Sequence, residues 1–294
     1  MSALSVAGTN DLLCPSMGRN MLLRRQRWYD RSRGLLVRAT SRIERKPARG
    51  ETMPCSSFDR LVSTQSAQSG VVLLHGIAPT YRSFRKLQRA LKASGFATLN
   101  LDYDSRRKSL EQLAEEIHPA IGRFVNDIEG PVHFVGHSMG GLLARVYLAK
   151  HRPERLGRVV MLGTPNGGSE IADRLRDFAL YRAYFGPAGQ QLATRRDPAT
   201  ETLLPAVSYP VGVIAGNRSI DPISSAFLLP APNDGRVSVE NTKLDGMVDH
   251  VVIGASHPWL LRNASAIRQT IAFLLHGRFG VYGNSRSPEV RPPA

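Results

Sequence analysis

The chain has 294 residues, of which 42% are hydrophobic, and it carries a formal net charge of +15. This length is enough for one large core or two small ones. No stretch approaches about 18 consecutive apolar residues, so we expect no transmembrane helix. Both cysteines, Cys14 and Cys55, lie near the N-terminus, which excludes a disulfide within the rest of the chain and fits a reducing compartment.

The N-terminal segment is strongly basic. Its first 50 residues carry eleven Lys or Arg against three Asp or Glu. Residues 1–60 show no sustained periodicity and are predicted to form a poorly ordered extension that favours peripheral contact with an anionic membrane. We expect no specific binding of nucleic acid. Arginines interrupt the apolar residues of "MLLRRQRWYDRSRGLLVRAT", so no secretory signal is predicted and a cytoplasmic location is expected.

From residue 70 onward, apolar runs typical of buried strands alternate with helical patterns. The predicted strands are "GVVLLHGIAPT", "FATLNLDY", "PVHFVGH", "RVVMLGTPNGG", "PVGVIAGN" and "HVVIGASH". The predicted helices are "YRSFRKLQRALKASG", "SLEQLAEEIHPAIGRFVNDIEG", "MGGLLARVYLAKH" and "NASAIRQTIAFLLHG". In the second helix, Ser109 and Gln112 form a capping-box pattern and Pro119 predicts a kink.

This alternation predicts an α/β fold with a mostly parallel sheet and helices on both faces, over residues 61–280. Residues 281–294 are predicted to be a flexible tail. An insert at about 169–206 is longer than a crossover needs, and it is interpreted either as a helical cap or lid over the strand ends or as an ordinary helix with a long loop. Its predicted apolar face consists of Ile171, Leu175, Phe178 and Phe185.

The stretch "GHSMG" places Ser138 between a predicted strand and a predicted helix. This G-x-S-x-G pattern is typical of a nucleophile elbow, in which a sharp turn lifts the hydroxyl above the sheet edge. Side chains at Gly136 and Gly140 would collide with neighbouring backbone. The Met139 N–H is the predicted first oxyanion donor, and Ile77 is the candidate for the second. The alternative is a tight turn in a non-catalytic domain.

A serine nucleophile needs a base and an orienting acid. His257 ends the last predicted strand, at the sheet edge where the site is expected, whereas His250 starts that strand, roughly 20 Å away. Two candidates remain for the acid, Asp234 in "PNDGRVSVENT" and Asp221 in "SIDPIS", with Asp234 preferred. The other histidines are interpreted as structural or as pointing away from the serine: His75, His118, His133, His137, His151 and His276.

Six blocks, in this order, resemble those of bacterial lipase/esterase-like serine hydrolases of the α/β-hydrolase superfamily. They are "LLHGI", "LDYDSRR", "FVGHSMGGLLAR", "VVMLGTPNGGSEIAD", "PNDGRVSVENTKL" and "GASHPWLLRN". The resemblance covers about residues 70–277. It implies an α/β-hydrolase fold in which Asp234 of the N-D-G-x-V block and His257 complete a triad with Ser138.

The same resemblance implies cleavage of a small-molecule or lipid carboxylic ester through an acyl-enzyme, and no cofactor is implied. Many secreted lipases of this superfamily carry calcium ligands, but the sequence shows no clear equivalent of them, so no metal is expected. A thioesterase or amidase of the same fold is an alternative within this chemistry. A non-catalytic binding module with the hydrolase fold is an alternative from another class.

Overall fold

The computed structural model describes residues 67–78, 80–219 and 229–280, together with two short strands nearer the N-terminus. The rest of the predicted extension over residues 1–60, with its expected membrane contact, and the tail over 281–294 lie outside the described residues. Within the part of the chain that is described, no helix is long and apolar enough to cross a bilayer.

The chain divides into two compact units, Met1–Val62 and Ser63–Ala294. In the first unit, strands β1 (Tyr29–Asp30) and β2 (Leu35–Leu36) pair in antiparallel fashion. The second unit contains every other described element, including the whole predicted hydrolase-like sheet.

The sheet of the second unit consists of six strands, which are β3 (Gly70–Leu74), β4 (Ala97–Asn100), β5 (Val132–His137), β6 (Leu156–Leu162), β7 (Val211–Gly216) and β8 (Asp249–Ile253). Their spatial order is β4-β3-β5-β6-β7-β8, and every neighbouring pair is parallel. Strands β3, β5 and β7 are buried along their whole length, as expected for parallel strands covered on both faces. The predicted mostly parallel α/β sheet is therefore confirmed.

The helices described in this unit are α1 (Arg85–Ala93), α2 (Leu110–Asp127), α3 (Met139–Lys150), α4 (Glu170–Leu175), α5 (Ala179–Gln190), α6 (Pro198–Leu203), α7 (Val239–Thr242) and α8 (Ala264–His276). The predicted capping box begins α2, where the Ser109 hydroxyl accepts from the Gln112 N–H and the Gln112 side chain accepts from the Ser109 N–H. Helix α2 continues through Pro119 as one element.

The two faces of the sheet carry separate apolar clusters. On β3, Val72 and Leu74 belong to the cluster that includes α2 and α3, whereas Val71 and Leu73 belong to the cluster that includes α1 and α8. This alternation follows from the two-residue period of a strand. Because all six strands run in the same direction, the loops after their carboxyl ends meet at one edge, where α/β sheets bind ligands.

The insert between β6 and β7 contains α4, α5 and α6. Its residues Tyr181 and Leu192 join the cluster of α2 and α3. Ile171 is buried as predicted, but Phe178, which was expected on the same face, is 62% exposed. Phe178 lies between α4 and α5, just before α5 begins, so one helical period does not run through it.

Candidate active site

Ser138 lies at the turn from β5 into α3, where the sequence predicts an elbow. Its backbone angles, φ 56° and ψ −128°, are ones that side-chain-bearing residues rarely adopt. Such a conformation costs roughly 1–3 kcal/mol and persists only where the surroundings enforce it. Here the Ser138 N–H donates to the Leu162 carbonyl of β6, and the Ser138 carbonyl accepts from the Gly141 N–H of α3.

The two glycines that flank the serine are required by close backbone contacts. A Cβ added at Gly136 would lie 2.5 Å from backbone atoms of Gly141. A Cβ at Gly140 would overlap the carbonyl oxygen of Leu74 on β3. These contacts confirm the predicted collisions, because strand and helix can join this tightly only when neither position carries a side chain.

The predicted oxyanion donors belong to the start of α3 and to the segment after β3. Met139 is the first residue of α3, so its N–H is one of those that a helix start leaves without a partner inside the helix. Ile77 follows β3 and lines the same cavity as Ser138. The chain passes close to the serine here, since a Cβ at Gly76 would lie 3.0 Å from the Ser138 Cβ.

His257 and Asp234 are joined by a buried hydrogen bond of 2.7 Å between His257 Nδ1 and Asp234 Oδ2. The His257 N–H also donates to the Asp234 carbonyl, which fixes the two segments relative to each other. The other carboxylate oxygen, Oδ1, accepts from the N–H groups of Arg236 and Val237, both at 2.9 Å. With Nδ1 donating to the carboxylate, a neutral His257 presents Nε2 as an acceptor.

A cavity of about 640 Å³ lies at the carboxyl ends of the strands and is lined by both Ser138 and His257. Ser138 follows β5, His257 begins the 3₁₀ helix after β8, and Asp234 lies in the loop after β7. The structure thus places the three predicted residues at one edge of the sheet, in the chain order Ser, Asp, His. Their catalytic roles remain predictions.

Comparison with known proteins agrees with this architecture. Residues 71–196 match the family described as the alpha/beta hydrolase fold. A triacylglycerol lipase from Pseudomonas fragi is 33% identical over 114 residues, which cover 36% of this chain and 38% of that lipase. A triacylglycerol lipase from Pseudarthrobacter phenanthrenivorans is 46% identical over 46 residues, or 16% of this chain and 14% of that one. The chain has the α/β-hydrolase fold. Its matches span well under two thirds of those lipases, and they support a lipase- or esterase-like hydrolase at the level of the family.

Solved structures show the same α/β-hydrolase fold. The mature form of a Bacillus licheniformis lipase superposes with a TM-score of 0.56 at 19% identity, covering 71% of this chain and 91% of that one. A metagenomic carboxyl esterase superposes with a TM-score of 0.52 at 21% identity, covering 65% of each chain. At these identities the likeness concerns the fold.

His137 lies at the candidate site and contacts His257, which the sequence did not predict. It was expected to point away from the serine, yet it lines the cavity, and its ring centre lies 4.8 Å from that of His257. Burial lowers the pKa of His137 to about 3, so the ring is neutral at pH 7. Its Nε2 donates to the His257 carbonyl at 3.0 Å. No sequence signal links these residues, which are 120 positions apart.

The structure describes His250, the alternative base, but not Asp221, the alternative acid. His250, at the start of β8, bonds through Nε2 to the Thr242 hydroxyl at 3.0 Å, and it is not among the described residues that line the cavity. Burial lowers the pKa of His250. Asp221 lies outside the described residues, so its candidacy as the acid stays open.

The other histidines make structural contacts. His75 is 1% exposed, stacks on Tyr103 with 4.0 Å between ring centres, and has its pKa lowered by burial. His133 Nδ1 accepts from the Arg158 N–H, and burial lowers its pKa to about 4. Elsewhere on the surface, His118 stacks on His151, while His276 ends α8.

The cavity walls combine apolar and cationic groups. The insert contributes apolar side chains, and the segment after His257 contributes Trp259. Arg236 and Arg262 also line the cavity, whereas no Asp or Glu of the described residues does. The described residues contain no cluster of His, Cys, Asp or Glu suited to hold a metal ion. The apolar and aromatic insert residues on the wall are Ile171, Tyr181, Tyr184, Phe185 and Leu192.

Proposed function

We propose that the protein is a serine hydrolase that cleaves carboxylic esters through an acyl-enzyme, with Ser138 as nucleophile, His257 as base and Asp234 as orienting acid. One observation carries the proposal. His257, which forms a buried hydrogen bond of 2.7 Å with Asp234, lines the same cavity as Ser138, whose backbone is strained. Strained backbone concentrates at functional sites, where it positions reacting groups.

In the first half of the reaction, the Ser138 oxygen attacks the carbonyl carbon of the ester while its proton passes to His257 Nε2. The N–H groups of Met139 and Ile77 stabilise the negative charge on the carbonyl oxygen. The bond to the alcohol oxygen then breaks, and the alcohol leaves with the proton from His257. The acyl group remains as an ester of Ser138.

In the second half, a water molecule attacks the acyl carbon and gives its proton to His257. The acid leaves as the Ser138 oxygen recovers a proton from His257. Asp234 stays a carboxylate throughout, because its role is to hold the tautomer and to stabilise the imidazolium. The N–H bonds from Arg236 and Val237 keep this carboxylate in place.

The acyl group of the substrate would occupy the part of the cavity lined by the insert. Ile171, Tyr181 and Phe185 present apolar surface there, which suits a hydrocarbon chain. The insert over 169–206 then acts as a cap above the strand ends. The lipases and the esterase to which the chain is similar support an ester as the substrate.

The test is covalent labelling of the full chain with a fluorophosphonate probe, followed by hydrolysis of matched butyryl substrates that differ only in their ester, thioester or amide bond. We expect labelling that Ser138→Ala abolishes, and fastest turnover of the ester. Absence of labelling in the folded wild-type protein would refute a serine hydrolase. Preference for the thioester or the amide would refute only the ester assignment.

A further inference from the structure

A second, smaller cavity adjoins the one that contains Ser138. It encloses about 300 Å³ and shares two wall residues, Trp259 and Arg262, with the larger cavity. Arg218, from the segment after β7, lines it as well. The two cavities are therefore neighbours across the short helix that begins at His257.

The wall of this second cavity is cationic. Arg218 and Arg262 are exposed side chains, and within the described part of the chain neither takes part in an ion pair. No Asp or Glu among the described residues lines either cavity. Arg236 adds a third guanidinium on the wall of the larger cavity. An anion entering here meets positive charges that no carboxylate among the described wall residues neutralises.

Arg262 contacts its neighbours through both its side chain and its main chain. Its guanidinium carbon lies 5.7 Å from the centre of the Trp259 ring, a cation–π distance. Its carbonyl accepts from Lys86 Nζ at 2.8 Å, which brings a further cation close to the main chain. The next residue, Asn263, caps α8 through its side chain. The contact with Trp259 restricts the guanidinium, and a restricted side chain loses less entropy when it binds a ligand.

In the proposed reaction, the alcohol of the ester leaves on the side of His257, the first residue of the helix shared by both cavities. In the proposed reaction His257 gives its proton to the leaving alcohol, so that alcohol must face His257. Trp259 and Arg262 follow His257 in the same short helix. The apolar insert, by contrast, lines the part of the cavity suited to the acyl chain.

We propose that Arg218 and Arg262 bind a negatively charged group on the alcohol part of the substrate while its ester bond reaches Ser138. The substrate class is an acyl ester whose alcohol carries a phosphate or a carboxylate, such as an acyl glycerol phosphate. Guanidinium groups recognise both anions through paired, charge-assisted hydrogen bonds. This inference rests on the proposed function and extends it to the substrate.

The test compares monobutyrin with the butyryl ester of glycerol phosphate, which differs from it only by the phosphate. Both are soluble, so attraction to a membrane surface does not contribute. We expect kcat/KM of the wild-type protein to favour the phosphorylated ester by about tenfold or more at low ionic strength, and the preference to shrink in salt. In Arg218→Gln and in Arg262→Gln this ratio should fall towards one.

Arg89→Gln is the matched control, because Arg89 is an exposed arginine of α1 that lines neither cavity, and this variant should keep the wild-type ratio. Fluorophosphonate labelling of each variant checks that the site is folded. A wild-type ratio near one, with monobutyrin still cleaved, would overturn this inference and leave the proposed function intact. The same holds if both arginine variants keep the wild-type ratio. Failure of labelling and of all turnover in the wild-type protein would overturn both.

Discussion

The His137 Nε2–H donates to the backbone carbonyl of His257, with 3.0 Å between nitrogen and oxygen. His137 ends β5 next to Ser138, and His257 follows β8. A single hydrogen bond therefore ties the residue before the proposed nucleophile to the proposed base. Because the carbonyl can only accept, this contact requires the Nε2–H tautomer of His137.

Removal of this donor should disturb the base. We predict that His137→Leu lowers kcat for ester hydrolysis roughly tenfold and destabilises the fold by about 1–3 kcal/mol, because the buried His257 carbonyl loses its partner. His137→Gln, which restores an N–H donor, should recover part of kcat. His133→Gln, in the same strand, should leave kcat within about twofold. Urea unfolding and kinetics on one ester measure both effects; equal kcat in the Leu and Gln variants would exclude a positioning role.

The triad assignment predicts large and unequal losses. Ser138→Ala and His257→Ala should each lower kcat by roughly 10³ or more, because triad members act as a unit. Asp234→Asn should cost up to about 10⁴, since the amide favours the wrong imidazole tautomer. His250→Ala should stay within about tenfold of wild type, because its ring bonds to Thr242 instead.

The acid can be checked in the same assay with Asp221→Asn. If this variant loses activity while Asp234→Asn keeps it, the acid is Asp221 and the bond from His257 to Asp234 is structural.

The insert should govern the acyl chain length. Phe185 and Tyr181 line the cavity, so Phe185→Ala and Tyr181→Ala should lower kcat/KM for a long-chain ester by about tenfold relative to an acetate, through lost apolar contact. Phe178→Ala is the control, because that side chain is 62% exposed. Esters of increasing chain length measure the effect. An equal change for acetate and long-chain esters would mean that the insert only stabilises the fold.

The elbow should not tolerate a methyl group at Gly140. A Cβ there overlaps the Leu74 carbonyl, so we predict that Gly140→Ala destabilises the protein by about 3 kcal/mol or more. Gly122→Ala, within α2, is the control: nothing lies within 4 Å of its added Cβ. It should stabilise the protein by about 0.5–1 kcal/mol through helix propensity. Urea unfolding of both variants measures the change in the free energy of unfolding. Equal changes in the two variants would contradict a steric requirement for glycine at Gly140.

Two buried histidines should make stability fall in mild acid. The pKa values of His133 and His137 are lowered to about 4 and about 3, from an ordinary 6.5. Their neutral forms are therefore favoured by folding. Above pH 6.5 these histidines are mostly neutral in both the folded and the unfolded protein. Below pH 6.5 they bind protons in the unfolded chain before they do so in the folded protein, so the free energy of unfolding decreases as the pH falls.

We expect each histidine to contribute a loss of up to about 1.4 kcal/mol per pH unit in the range below its ordinary pKa of 6.5 and above its lowered pKa. Urea unfolding at several pH values measures the slope. His133→Gln should reduce the slope of stability against pH by about the contribution of one histidine. An unchanged slope in that variant would assign the acid sensitivity to other groups.

The sequence by itself determined the features that local patterns encode. Continuous apolar runs predicted the six strands of the sheet, because a strand buried on both faces needs apolar residues at every position. The capping box of Ser109 and Gln112 and the glycines around Ser138 were equally readable, since each depends on neighbours within a few residues. The N-D-G and G-A-S-H blocks also pointed to Asp234 and His257, which the structure brings into contact.

Only the tertiary structure decided which distant residues meet. The bond between His137 and His257 joins the ends of two strands that are not neighbours in the sheet, and Arg262 lines two cavities at once. The exposure of Phe178 followed from the break between α4 and α5, which the spacing of apolar residues did not reveal. Periodicity reports which face of one element is apolar, whereas a site depends on how several elements pack together.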